Sequence, residues 1–256
     1  MINITRSARS LMMLLTLMLL TQEGWAQLLT ENFSYSTAGN ITSATANWTA
    51  HSGTTFYPQY TNSGLTFNGH AGSGVGGAIT ISSSGVADVN RTFTSQNSGT
   101  VYMSCLVNFS AGSGSVSDYF LHFNSGTFNA RVQALTSTTN LRFGVSKAGT
   151  PAAVATNFSF NTTYLLVVKY TFNTGSLTDD NVDLWVLSSF ASTEILAGTP
   201  LQSTSSGTDA TSLSAVAIRQ GTPPTGTIDA IRVGTTWASV TPPATYTLTY
   251  NGNSNT

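Results

Sequence analysis

The sequence predicts an all-β protein, a two-sheet antiparallel β-sandwich of the jelly-roll kind. Three observations carry this. Short runs of β-branched and aromatic residues recur along the chain, divided by clusters of Gly, Asn, Ser and Thr. After the N-terminal segment, no stretch repeats apolar residues at the spacing of a helix face. Charge is scarce: Asp, Glu, Lys and Arg make up 7% of the 256 residues, against about 25% in an average soluble domain.

The chain opens with an export signal. Arg6 and Arg9 precede the apolar run Leu11 to Leu20, and Gly24-Trp25-Ala26 supplies a small-x-small cleavage site. Residues 1–26 are expected to leave, so that the mature chain starts at Gln27 and is secreted or held at the cell surface. The apolar run of ten residues spans about 15 Å as a helix, half of a bilayer's hydrocarbon core. No cysteine stands near the site to take a lipid, and no membrane insertion of the mature chain is expected.

The sandwich is placed at 27–240. Strands are expected at Leu28–Phe33, Gly64–Phe67, Ala78–Ser82, Val89–Phe93, Thr100–Phe109 and Asp118–Phe123. Further ones follow at Thr127–Leu135, Asn140–Ser146, Thr163–Phe172, Asn181–Leu187, Ser214–Gln220 and Thr227–Val233. Asn124-Ser125-Gly126 and Asn173-Thr174-Gly175 supply residues that tolerate positive φ and so mark two hairpins. Tyr164-Leu165-Leu166-Val167-Val168 is apolar on both faces, which marks a central strand. Pro242 and Pro243 cannot sit inside a ladder, so 241–245 reads as a linker. Tyr246–Tyr250 alternates like a strand with nothing to pair with, and 246–256 reads as the truncated start of a second β-repeat module.

Three segments together resemble a known group: Thr30-Glu31-Asn32-Phe33, Asn161 to Tyr170, and Thr227 to Trp237. The set is similar to secreted concanavalin A-like (LamG-type) jelly-roll modules of Bacteroidetes-type bacteria. The tail at Tyr246–Asn253 resembles the short β-repeats of Listeria–Bacteroides surface proteins. The resemblance implies a monomeric module within a larger protein, binding polysaccharide or another glycan, or mediating adhesion. A structural spacer for a downstream domain is the alternative.

Composition narrows the chemistry. Net charge is −1 and no Lys/Arg run exists, so nucleic acid is not an expected partner. The lone Cys105 lies in an apolar strand and reads as a small core side chain. Glycoside hydrolysis needs two carboxylates across one bond. The Glu-x-Asp-x-x-Glu string of laminarinase-type jelly rolls is absent, and Asp180 and Asp183 would face opposite sides of one strand. The chain is therefore expected not to be an enzyme, with a polysaccharide hydrolase as the remote alternative.

Sugar binding would use aromatic faces with polar neighbours. Asp183 and Trp185 share one strand face, and with Tyr119 they are the candidate ligand residues. In many sandwich modules the first strand lies beside the last and oxygens from both hold a calcium ion. Glu31 and Asp229 are placed for that role, which makes a structural Ca²⁺ the cofactor they could bind. His51, His70 and His122 show no ligand spacing.

Overall fold

The computed structural model describes residues 26–110, 116–137, 139–149, 153–221 and 224–245. The segment expected to be an export signal, up to residue 25, and the repeat expected from Tyr246 onward fall outside these residues. No described helix is long and apolar enough to cross a membrane.

The described residues form two antiparallel sheets. The early strands are β1 (Gln27–Glu31), β2 (Gly39–Asn40), β3 (Thr49–Ser52), β4 (Gln59–Thr61), β5 (Ala78–Ile81), β6 (Asp88–Gln96) and β7 (Thr100–Phe109). The later ones are β8 (Val116–Asn124), β9 (Phe128–Thr136), β10 (Leu141–Ser146), β11 (Tyr164–Thr171), β12 (Asn181–Leu187), β13 (Gln202–Thr204), β14 (Leu213–Ile218) and β15 (Gly226–Gly234). The larger sheet runs β13-β12-β11-β7-β15-β5-β4-β2, and β1 also pairs with β15. The smaller runs β10-β9-β8-β14-β6-β3.

Alternation explains the packing. On β7, Met103, Cys105 and Val107 enter the core between the sheets, and on β11 Leu166, Val168 and Tyr170 do the same. Phe109 bridges the layers, with its ring 5.1 Å from Phe120 and 5.9 Å from Phe143. Each such fully buried side chain contributes about 1.5–3 kcal/mol. Cys105 is fully buried, and burial pushes its thiol pKa up.

β11 is apolar on both faces because the larger sheet is covered twice. Its outer side carries a second cluster: Tyr102 and Leu106 from β7, Leu165 and Val167 from β11, Trp185 from β12 and Ala230 from β15. Phe67, Ala191, Trp237 and Val240 close over them. Trp237 and Val240 come from the single turn α3 (Trp237–Val240), which follows α1 (Ile41–Ala44) and α2 (Glu194–Ala197). Thr236 caps α3, accepting the Ser239 amide at 3.2 Å.

Two of the segments assigned from sequence take a different form. Gly64–Phe67 is not a strand, because its amides bond to side chains instead of a ladder. Leu65 donates to Asp229 Oδ2 at 2.7 Å and Phe67 to Ser73 Oγ at 2.8 Å. The stretch read as a linker is docked: Ala71 donates to the Pro242 carbonyl at 2.9 Å, Ala244 to that of Gly69 at 2.8 Å, and Pro243 bridges to His70.

Candidate functional site

Among the described residues, no apolar cluster like the second one covers the outer face of the smaller sheet. On β9, Val132 and Ala134 enter the core, which leaves Arg131, Gln133 and Leu135 on the outer face. On β10, Phe143 and Val145 enter and leave Arg142 and Gly144 outside. On β14, Val216 and Ile218 enter, so Ala217 faces outward, as does Arg219 just past the strand's end.

β8 breaks its own alternation here. Tyr119 pairs with Gln133 but Leu121 pairs with Val132, so the register slips across Phe120. Phe120 and Leu121 both pack in the core. Such a bulge re-aims the side chains that follow it, and it brings Tyr119 and His122 to one face with their rings 5.5 Å apart. Ala217, level with His122 and Asn90 across β14, is small enough to let His51 approach to 6.0 Å from His122. Phe128 completes the cluster, 4.7 Å from His122.

Two guanidinium groups flank Tyr119. Arg219 lies 4.5 Å and Arg131 5.1 Å from its ring centroid, within cation–π range. Arg219 also pairs with Asp118 at 2.5 Å. Arg131 donates only to carbonyls, those of Phe128 and Gly149, and no carboxylate of the described residues pairs with it. Arg142 bonds to Asn157. The other nearby carboxylate, Asp88, accepts the Gln220 amide at 3.0 Å, and burial raises its pKa. The face therefore has positive charge to spare.

Its polar atoms are under-used as well. His122 is fully buried, and burial lowers its pKa to about 4, so the ring is neutral near pH 7. Its Nδ1 lies 3.0 Å from the Phe123 carbonyl. That contact assigns the ring proton to Nδ1 and leaves Nε2 a bare acceptor. Nε2 has no partner, and neither do His51 Nε2 and Gln133 Oε1. Burial lowers the pKa of His51 too, against the opposing pull of Asp88. Buried polar atoms without partners are uncommon and mark sites that a ligand or water completes.

The residues nominated from sequence are dispersed. Tyr119 is on this face. Trp185 lies on the opposite side of the sandwich at 3% exposure, beneath Trp237, with Nε1 donating to the Gly198 carbonyl at 2.8 Å. It offers no ring face to a sugar, which corrects its assignment as a ligand residue. Asp183 stands beside it on β12 and accepts from Asn181, far from Tyr119 in the fold.

Glu31 and Asp229 do come from neighbouring strands, since β1 pairs with β15. The calcium reading is nevertheless corrected, because the Glu31 carboxylate is filled by donors. It accepts the Phe33 amide at 2.5 Å, the Tyr35 hydroxyl at 2.5 Å, Trp48 Nε1 at 2.9 Å and the Arg91 guanidinium. A cation would have to displace another cation. Asp229 accepts the Leu65 and Ala230 amides, and burial pushes its pKa up to about 7.

Asp179, Asp180 and Asp209 are the described carboxylates that do gather, with donor atoms within 4.8 Å of one another. Lys147 already supplies their positive charge, reaching Asp209 at 2.5 Å from a fully buried position.

Sequence reasoning passed over His51, His122, Arg131, Arg219 and Gln133. Residues 119 and 122 sit on opposite faces of a regular strand, and the bulge that unites them has no glycine to announce it.

No family model matches the chain, and no curated protein matches it. Solved structures similar to it include an alginate lyase variant in complex with alginate tetrasaccharide, at 12% identity over 82% of this chain and 97% of that one, with a TM-score of 0.48. An endo-β-1,4-glucuronan lyase from the fungus Trichoderma reesei is 10% identical over 86% of this chain and 100% of that one, with a TM-score of 0.42. The botulinum neurotoxin serotype D binding domain is 8% identical over 82% of this chain and 48% of that one, at 0.47. These likenesses concern the β-sandwich fold.

The expectation that the chain is not an enzyme does not stand: polysaccharide lyases are among the structures of like fold, and a shared fold leaves activity open either way. That expectation rested on a missing carboxylate pair, which bears on hydrolysis alone. Elimination needs a proton acceptor and a donor, and imidazole and phenol groups can fill both roles.

Proposed function

We propose that the outer face of the smaller sheet binds an acidic polysaccharide. The observation that carries this is the Tyr119 ring held between Arg131 and Arg219, with Arg131 free of any carboxylate partner among the described residues. The aromatic ring holds the two guanidinium groups in place by cation–π contact. The guanidinium fork suits a sugar carboxylate, which it can bind through two parallel hydrogen bonds. The N-terminal export signal and the resemblance to secreted LamG-type modules support a role outside the cell or at its surface, where such polymers occur.

The test is calorimetric titration of the full chain with alginate and polygalacturonate oligosaccharides. Arg131→Ala and Arg219→Ala should each weaken binding about tenfold or more, the range of a charge-assisted hydrogen bond. The same mixtures, followed for unsaturated sugar products, report whether binding leads to cleavage. Failure of both polymers to bind, or unchanged affinity in both variants, would refute the assignment.

A further inference from the structure

A cavity lies where β4 and β5 of the larger sheet meet the end of β14. Its volume is about 560 Å³, within the range of roughly 300–1,000 Å³ for ligand sites. None of its lining residues carries a charged side chain. Gln59 and Thr80, partners across β4 and β5, form one wall. Ser82, Ser84 and Gln220 form another, and Phe56 and Tyr57 complete the lining. The second apolar cluster draws on β7, β11, β12 and β15, so it leaves this end of the sheet uncovered.

Phe56 is the unusual member. It is 73% exposed and has φ of 51°, a left-handed conformation that is a genuine outlier for a bulky residue. The surroundings hold it there. Its carbonyl accepts the Val86 amide at 3.3 Å and the Gln220 side-chain amide. The next bond along, from the Ala87 amide to the Thr55 carbonyl at 3.0 Å, staples the same loops. Gln220 also donates to the Ala87 carbonyl at 3.1 Å. Strain kept by this many contacts, for a ring turned to solvent instead of core, is of the kind that gathers at ligand clamps and other functional sites.

From these observations we infer that the cavity is a binding site for a neutral pyranose unit. Phe56 offers an apolar ring face, half-buried Tyr57 lines the cavity while packing against the core, and Gln59, Thr80, Ser82 and Ser84 offer hydroxyl and amide groups. The lack of charge distinguishes its ligand from the acidic sugar of the arginine face. A neutral sugar needs no counter-charge, and a uronate would gain none here.

The experiment is an NMR titration of the full chain with cellohexaose, mannohexaose and a β-1,4-galacto-oligosaccharide. At least one should give saturable shifts, including the Gln59 side-chain amide. Phe56→Ala keeps the Cβ and so the backbone strain, which isolates the ring; it and Tyr57→Ala should each weaken binding tenfold or more. Arg131→Ala should leave this binding unchanged, so failure here and failure at the arginine face are separable. No saturable shift with any of the three sugars would overturn the inference. So would binding that survives both aromatic substitutions, or a proline-rich peptide that shifts these resonances when sugars do not.

Discussion

Glu31→Ala should destabilise the fold by about 3–5 kcal/mol, the range for removing one partner of a buried ion pair. The structure shows where this comes from. Trp48, at 1% exposure, loses the acceptor of its indole N–H, and a buried donor left unsatisfied costs about 1–3 kcal/mol. Arg91, with 19% of its side chain exposed, loses its carboxylate, and a hydrogen bond to a charged group is worth about 1.5–3 kcal/mol. Tyr35 loses a further partner. At about 2–4 °C per kcal/mol for a domain of this size, Tm should fall by about 6–20 °C. Glu31→Gln keeps one acceptor oxygen and should fall between. Thermal unfolding followed by circular dichroism reads both. A Tm for Glu31→Ala within about 2 °C of the parent would refute the network. So would a parent Tm that rises with added calcium and drops with chelator, since that would put a cation where Arg91 now lies.

Two further predictions concern pH. Asp229 ionises near 3.8 in the unfolded chain and near 7 in the fold, so the folded state holds the proton across that window. Its contribution is full below pH 3.8 and is lost as pH rises through about 7, about 4 kcal/mol in all. Asp229→Asn should remove that dependence from urea-unfolding free energies measured across the window, and an unchanged slope would refute it. His122 has the opposite sign, with pKa falling from 6.5 unfolded to about 4 folded. Its contribution is full above pH 6.5 and lost as pH falls through about 4, roughly 3 kcal/mol. His122→Phe should lose less stability on acidification than the parent, and an equal loss in both would show that the imidazole is not the group concerned.

The layers of this fold were legible where burial is two-sided or strictly alternating. Tyr164 to Val168 is apolar at every position because β11 has core on one face and the Trp185–Trp237 layer on the other. β2, β3, β4 and β13 were not legible, since they are short and mostly exposed or half-buried, unlike the equally short β5 with its buried Ile79 and Ile81. The site was hidden by register. Counting from Tyr119 puts His122 on the far face, and only the slip across Phe120 returns it. Arg131 follows Ala130, whose φ of 49° shifts β9 in the same way. Trp185 was assigned to the correct outer face of β12, but the sequence does not show what α3 and the segment around Ala191 lay over it.

β15 occupies the middle of the larger sheet, between β7 on one side and β5 and β1 on the other, and β14 occupies the middle of the smaller one. Both are among the last strands to be synthesised. A nascent chain that has made everything through β13 therefore has each sheet in two parts with open inner edges, and a gap where Ile228, Ile231, Val216 and Ile218 will sit. Closing that gap joins β15 to β1 across nearly the whole length of the domain, a high-contact-order step. Assembly must then wait for the C-terminal strands. The order in which the two sheets can close is thus set by topology alone.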